Sequence, residues 1–255
     1  GFSPTYGYRT HGRDGPSTYV SNYDYFPFAS DGNSTGTSPA TNVNPGYYSH
    51  SEAIGNGDYV YTAGLLAPSV PAVLNSIEKF ATASIVASGT DVGDLTESKR
   101  SHSGASSSTY GYRHGGYPGN SNVIDKWPFA TDTNASEVGN LVIANYSSAG
   151  HQSSTYGYVS GGASGTAEPT AVNTITKYSF SSDGNATDGG DLTFATILAG
   201  GNSSTVSGYV VGGGRVGPPG AYDNVIDKFP FASDANATDV GDLTYAHDRM
   251  GTTQY

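Results

Sequence analysis

The chain has 255 residues, of which 35% are hydrophobic, with 36 Gly, 20 Tyr, no Cys and a net charge of −11. The absence of Cys excludes disulfides, thiolate metal sites and thiol nucleophiles, and the 11 basic residues form no run or stripe, which argues against a nucleic-acid partner. No apolar run approaches the roughly 18 residues of a membrane-spanning helix, so no membrane insertion is expected.

Taken in order, the chain repeats itself. The first unit, 1–45, opens on an aromatic stretch, TYGYRTHG from Thr5, and continues as YVSNYDYFPFASDGNST, Tyr19 to Thr35. The second, 46–97, carries DYVYTAGL from Asp58 and LNSIEKF running on to GDLT, Leu74 to Thr96. The third, 98–143, holds HSGASSS from His102, TYGYRHGG from Thr109 and NVIDKWPFATDTNASEVGNLV from Asn122. The fourth, 144–194, holds SAGHQSS from Ser148, TYGYVSGG from Thr155 and NTITKYSFSSDGNATDGGDLT from Asn173. The fifth, 195–245, holds LAGGNSS from Leu198, SGYVVGGG from Ser207 and DNVIDKFPFASDANATDVGDLT from Asp223. Copies beginning at Asn122, Asn173 and Asn224 stand 51 residues apart.

Each unit reads as four short strands: one of small residues, an aromatic one ending in Gly, one in which β-branched and charged residues alternate, and an outer one carrying Gly-Asp-Leu-Thr. Pro27, Pro128 and Pro230 close the third strand, where a residue that cannot donate to a ladder belongs. A period near 50 that carries several strands marks a propeller blade, because one small sheet cannot bury its faces alone. The expected fold is therefore all-β: a single domain, 1–255, forming a five-bladed β-propeller of four-stranded antiparallel blades. Residues 246–255 read as a small-residue strand that completes blade one and closes the ring. Residues 36–57 and 83–90 fit the pattern worst, and the first of these is expected to bulge as a surface loop. The start at Gly1, without an initiator Met or signal peptide, leads us to expect part of a longer chain or of a homo-oligomer.

With the strands placed, the Gly doublets that close the aromatic strand (Gly115 and Gly116, Gly161 and Gly162, Gly212 and Gly213) resemble those of the Kelch repeat. The outer-strand Trp of that repeat is missing, since the one Trp, Trp127, lies on the third strand. NVIDKFPFASDANATDVGDLT followed by a small-residue strand and YVSGG is similar to Kelch-like repeats in phage virion and tail-fibre proteins, particularly of cyanophages. The resemblance implies a structural or adhesive role outside the cell, on a virion surface, with a cell-surface glycan or a neighbouring structural subunit as partner.

Catalytic motifs are absent: there is no G-x-S-x-G, H-E-x-x-H, P-loop or dinucleotide turn, so no enzyme activity is expected. His11, His50, His102, His114, His151 and His247 come from different units, and no His metal site is expected. His102 and His151 fall at nearly the same place in successive small-residue strands, which suggests repeat packing. The turn after the third strand presents oxygens at alternate positions, making Asp183 and Asn185, and Asp234 and Asn236, calcium candidates. Hairpin turns that cap their own backbone explain the same residues. Asp125 and Lys126, like Asp227 and Lys228, point to opposite faces and read as structural ion pairs.

Variable loops after the aromatic strand offer aromatic faces and fork-shaped donors suited to sugars. The binding candidates there are Arg9, His11, Arg13, Arg113, His114, Tyr117, Arg215 and Tyr222. The leading expectation is a non-enzymatic adhesive or structural module, with a glycan-processing enzyme and a purely architectural repeat as the alternatives.

Overall fold

In a computed structural model, residues 6–14, 18–29, 34–37, 54–67, 72–82, 89–215 and 222–249 are described. Among them the chain is all-β and antiparallel, with no helix. The first sheet has three strands, β1 (Tyr6–Asp14), β2 (Thr18–Pro27) and β3 (Thr35–Thr37). The second runs β4 (Ile54–Gly55), β5 (Tyr59–Ala67), β6 (Ala72–Ala81) and β7 (Thr90–Asp94). The third runs β8 (Ser103–Ser106), β9 (Tyr110–His114), β10 (Ser121–Pro128) and β11 (Ser136–Asn145). The fourth is β12 (Ala149–Gln152), β13 (Tyr156–Ser160), β16 (Thr174–Ser179) and β17 (Thr187–Asp191), with the ribbon β14 (Ala163–Ser164) and β15 (Thr170–Ala171) in its central loop. The fifth is β18 (Gly200–Ser203), β19 (Ser207–Gly214), β20 (Tyr222–Pro230) and β21 (Thr238–Asp242).

The small-residue, aromatic, alternating and outer strands thus follow one another across sheets two to five, and Pro27, Pro128 and Pro230 each end a strand. The expected surface loop at 36–57 is bounded by strands: Thr37 ends β3, and Ile54 and Gly55 form the inner strand of the second sheet. Residues 38–53 and 83–88 lie outside the described residues; of the expected closing strand at 246–255, residues 246–249 are described and are not in a strand, and 250–255 lie outside the described residues.

Two sequence habits have direct physical causes. The Gly before the second-strand Tyr sits across from an aromatic on the third strand: Gly111 faces Trp127, Gly157 faces Tyr178 and Gly208 faces Phe229. A Cβ at Gly157 would stand 2.2 Å from the Tyr178 ring, so only hydrogen lets that ring lie across the strand. The outer Thr-Asp-Val-Gly-Asp is a β-bulge, with the register slipping at Ile77/Glu78, Ile226/Asp227 and the matching points between. The bulge turns Gly93 and Gly190 toward the next sheet, where Thr133 O and Ala235 O would each lie 2.6 Å from an added Cβ.

The apolar interior lies between sheets. Tyr61, Ile77 and Leu95 of the second sheet pack with Trp127 and Phe129 of the third. Tyr112, Ile124 and Leu141 meet Val159 and Tyr178 of the fourth. Tyr158, Ile175 and Leu192 meet Val210, Phe229 and Ala237 of the fifth. Gly157→Ala should lower the free energy of unfolding by about 1–3 kcal/mol, since the Tyr178 ring must move aside. Denaturant titration of the variant against the parent measures it.

Candidate binding face

The loops after the second strand and the linkers that carry the chain from one sheet to the next interlace on one face. Arg100 pairs with Tyr117, Tyr146 with Ala163 and Ile197 with Gly214, each through two reciprocal backbone bonds of 2.8–3.0 Å. The Gly doublets make this approach: Gly162 has φ +102, and its N–H donates to Thr196 O at 2.8 Å. The linkers also bond to one another, Ser147 N to Ser101 O, Leu198 N to Ser147 O and Arg249 N to Leu198 O, at 2.7–2.8 Å. All four of these residues share a φ of 55–56°.

On this frame lies a cluster of aromatic and cationic groups. The Arg100 guanidinium carbon is 5.2 Å from the centre of the Tyr117 ring, and Tyr117 and Tyr146 have centroids 5.4 Å apart at 55°. Lys99 Nζ donates to Pro118 O at 2.7 Å. Arg100 Nε is buried and has no hydrogen-bond partner among the described residues. In a neighbouring linker, Arg215 lies 5.4 Å from the Phe194 ring and closes a fork on Asp223, at 2.8 and 3.0 Å.

Of the expected binding residues, Tyr117 is half-buried in this cluster and Arg215 and Tyr222 are exposed, Tyr222 being the first residue of β20. Arg113 and His114 are not loop residues. They end β9 and are fully buried, because the loop begins only where Gly115 takes φ +62. Arg9, His11 and Arg13 likewise sit on β1, which continues to Asp14, and their side chains lie outside what is described. Arg100, Tyr146, Lys99 and Phe194 escaped notice in the sequence. Arg100 and Tyr146 do share a position, seven residues after the Gly of Gly-Asp-Leu or Gly-Asn-Leu, and that register was the available signal.

Arg113 points between sheets two and three, with Glu97 at 3.5 Å and Asp125 at 3.6 Å. Burial lowers its pKa, and the two carboxylates oppose that. Asp125 in turn accepts from Thr96 Oγ1 at 2.5 Å and Thr96 N at 3.2 Å, as Asp227 accepts from Thr193 at 2.7 and 2.8 Å. Where the linker has Val142 in place of that Thr, the facing third-strand residue is Thr176 in place of the Asp.

The calcium candidates have protein partners. Asp183 Oδ1 takes Lys126 Nζ and Asp234 Oδ1 takes Lys177 Nζ at 2.5 and 2.7 Å, as Asp132 takes Lys79 at 2.8 Å. Asn185 Oδ1 accepts from Asn140 N and Asn236 Oδ1 from Asp191 N, both at 3.1 Å. The next N–H of the same turn returns the bond: Ala186 to Asn140 O and Ala237 to Asp191 O, at 2.9 and 2.7 Å. These turns hold the preceding sheet, whereas capping of their own backbone was the simpler expectation.

His102, His114 and His151 are buried between sheets. His114 Nε2 lies 2.7 Å from Tyr178 Oη, His151 Nε2 lies 2.7 Å from Ser160 Oγ, and His102 Nε2 lies 2.5 Å from Ala63 O. His102 and His151 do not share a repeat position, since Ser148 is the counterpart of His102; the first reaches back to sheet two and the second forward to Asn202 O of sheet five. Burial pushes their pKa values down to about 3, 3 and 4.

An unfolded His titrates near pH 6.5, so below that value the unfolded chain binds protons that the folded one refuses. Stability should therefore be full above pH 7 and fall as pH drops from 6.5 toward 4. Near pH 5 unfolding should take up about three protons, a slope of about 4 kcal/mol per pH unit. Burial raises the pKa of Asp125 above its ordinary value, which offsets part of this at the acid end. Urea midpoints from pH 4.5 to 8 read the slope. Separately, Asn236→Ala should cost about 0.5–1.5 kcal/mol, read from the same midpoints at pH 7.5.

No family model matches this chain, and no curated protein matches it either.

Proposed function

We propose that the chain is a non-enzymatic adhesive module on a five-bladed propeller, working outside the cell on a virion appendage or a comparable assembly. In this reading the five larger sheets are the blades, the C-terminal stretch 246–255 completes the first, and the interlaced loops and linkers form the contact face. The observation that carries the proposal is the Arg100, Tyr117 and Tyr146 cluster. Two rings meeting at an angle provide apolar faces on which a sugar's C–H side can rest, and the half-buried Arg100 guanidinium over Tyr117 carries charged N–H donors suited to its hydroxyl or carboxyl oxygens. Rigid backing for such a site comes from the backbone bonds beneath it.

The ligand class proposed is a cell-surface glycan, and the alternating repeat sheets are its scaffold. Calcium has no part in this reading, because the turn oxygens that suggested it bridge sheets.

Binding of the chain to a broad glycan array, with and without chelator, tests the proposal. Saturable binding to a related set of sugars is expected, unchanged by chelator. Tyr117→Ala and Tyr146→Ala should each weaken it at least about tenfold, a loss of about 1.4 kcal/mol. Binding that survives both substitutions would remove this cluster as the site, and an empty array would favour a contact with a neighbouring structural subunit.

A further inference from the structure

Three seams between sheets share one design. The second-strand Tyr of one sheet lies against two rings at the end of the next sheet's third strand. Tyr61 meets Trp127 and Phe129 at 6.3 and 5.0 Å, Tyr112 meets Tyr178 and Phe180 at 5.3 and 4.9 Å, and Tyr158 meets Phe229 and Phe231 at 5.6 and 4.7 Å. In each seam the second of these rings stacks on the Tyr at 19–27° between planes. These seams exclude water: Trp127 is 1% exposed, Phe229 1% and Tyr178 4%.

Two half-seams are left. In the first sheet Phe26 and Phe28 flank Pro27 as Phe229 and Phe231 flank Pro230. The pairs are also alike in shape, with centroids 5.9 Å apart at 74° in the first and 5.7 Å at 75° in the second. Yet Phe26 is 45% and Phe28 57% exposed. In the fifth sheet Tyr209 stands where Tyr158 stands in the fourth, and its one aromatic-face contact among the described residues is Lys228 Nζ at 5.8 Å. Gly241, in the bulge of the same sheet, has φ +152 and open space where Gly93 and Gly190 meet the next sheet's turn.

We infer that these half-seams are one interaction surface, and that Phe26 and Phe28 of the first sheet dock on Tyr209 of the fifth sheet of the same chain. The inference rests on the five-bladed reading above and names the contact that completes it. Adjacent exposed Phe rings at a strand end make an apolar patch that water disfavours, and the matching Tyr209 ring, half-buried, has no aromatic partner from another sheet among the described residues. The same chain is the occupant because the first sheet is the one larger sheet with three strands among the described residues. The strand it lacks is the small-residue type, and Gly251, Thr252 and Thr253 stand ten to twelve residues after the bulge Gly241, as the first residues of β8, β12 and β18 do after Gly93, Gly139 and Gly190. A head-to-tail contact that closes on itself gives a ring, whereas the same contact between copies runs on as an open filament.

A double-mutant cycle on the full chain decides it, with Phe28→Ala, Tyr209→Ala and the pair, each followed by sedimentation and urea unfolding. Tyr158→Ala with Phe231→Ala, across a seam already described, serves as control. The expected result is a monomer in which the unfolding constant of the Phe28/Tyr209 double variant falls about tenfold short of the product of the single effects, as in the control. Additive effects at Phe28 and Tyr209 beside a coupled control would overturn the inference while leaving the rest of the sheet packing intact. Coupling that appears only with dimers or larger species, and fades on dilution, would overturn it in favour of a second copy. Phe28→Leu with Tyr209→Phe repeats the cycle if the Ala variants fail to fold. None of these residues lies in the Arg100 cluster, so failure of glycan binding leaves this result unchanged.

Discussion

A ring laid flat across a glycine is the contact on which the rest of this molecule depends. Gly111, Gly157 and Gly208 remove a side chain from the middle of the aromatic strand, and Trp127, Tyr178 and Phe229 fill the space from the strand beside it. That places each of these rings where the Tyr of the preceding sheet can reach it. A single four-stranded sheet this thin has no interior; the interior is made where one sheet meets the next. Aromatic pairs contribute roughly 0.5–1.5 kcal/mol each beyond the area they bury. With only 35% hydrophobic residues, the chain concentrates its apolar surface at those seams.

Polar contacts outside the rings then set the spacing. A Lys from the third strand of sheets two, three and four crosses to an Asp in the next sheet's turn, and the Asn two positions on takes the N–H beside the bulge glycine. The ion pairs are partly exposed and individually weak. Their value lies in position, because they act together with a returned backbone bond at the same place. In two of the three seams, Asp125 and Asp227 are held by the Thr that follows Gly-Asp-Leu. Motifs that look like independent local signatures are therefore the two halves of one joint, about 29–34 residues apart at the Thr and 53–57 at the Lys.

That separation explains what the sequence could and could not disclose. Strand type, strand order within a sheet, the Pro at strand ends and the Gly doublets are local and were legible from residues alone. The partners across a seam were not, because nothing near Asp234 indicates Lys177. The turn around Asp234 and Asn236 therefore read as a cation loop or a self-capping hairpin. Arg113 and His114 were misplaced for a related reason. The change from strand to loop is made by the left-handed glycine after them, and a polar pair just before it reads as surface until the facing Glu97, Asp125 and Tyr178 are seen. Arg100 and Tyr146 were hidden by the opposite effect: they lie in linkers whose residues vary from unit to unit, while the backbone pairing that positions them does not.

The linker-to-linker bonds carry a consequence for how such a chain can change over time. Two serines, a leucine and an arginine, Ser101, Ser147, Leu198 and Arg249, adopt one backbone angle, and each of the last three donates its N–H to the carbonyl of the one before. A belt made wholly of peptide groups is indifferent to the side chains it carries. Successive units could therefore diverge in the residues they present, one by one, with no compensating change in a neighbour. Duplication followed by drift would diversify this surface while its geometry stayed the same.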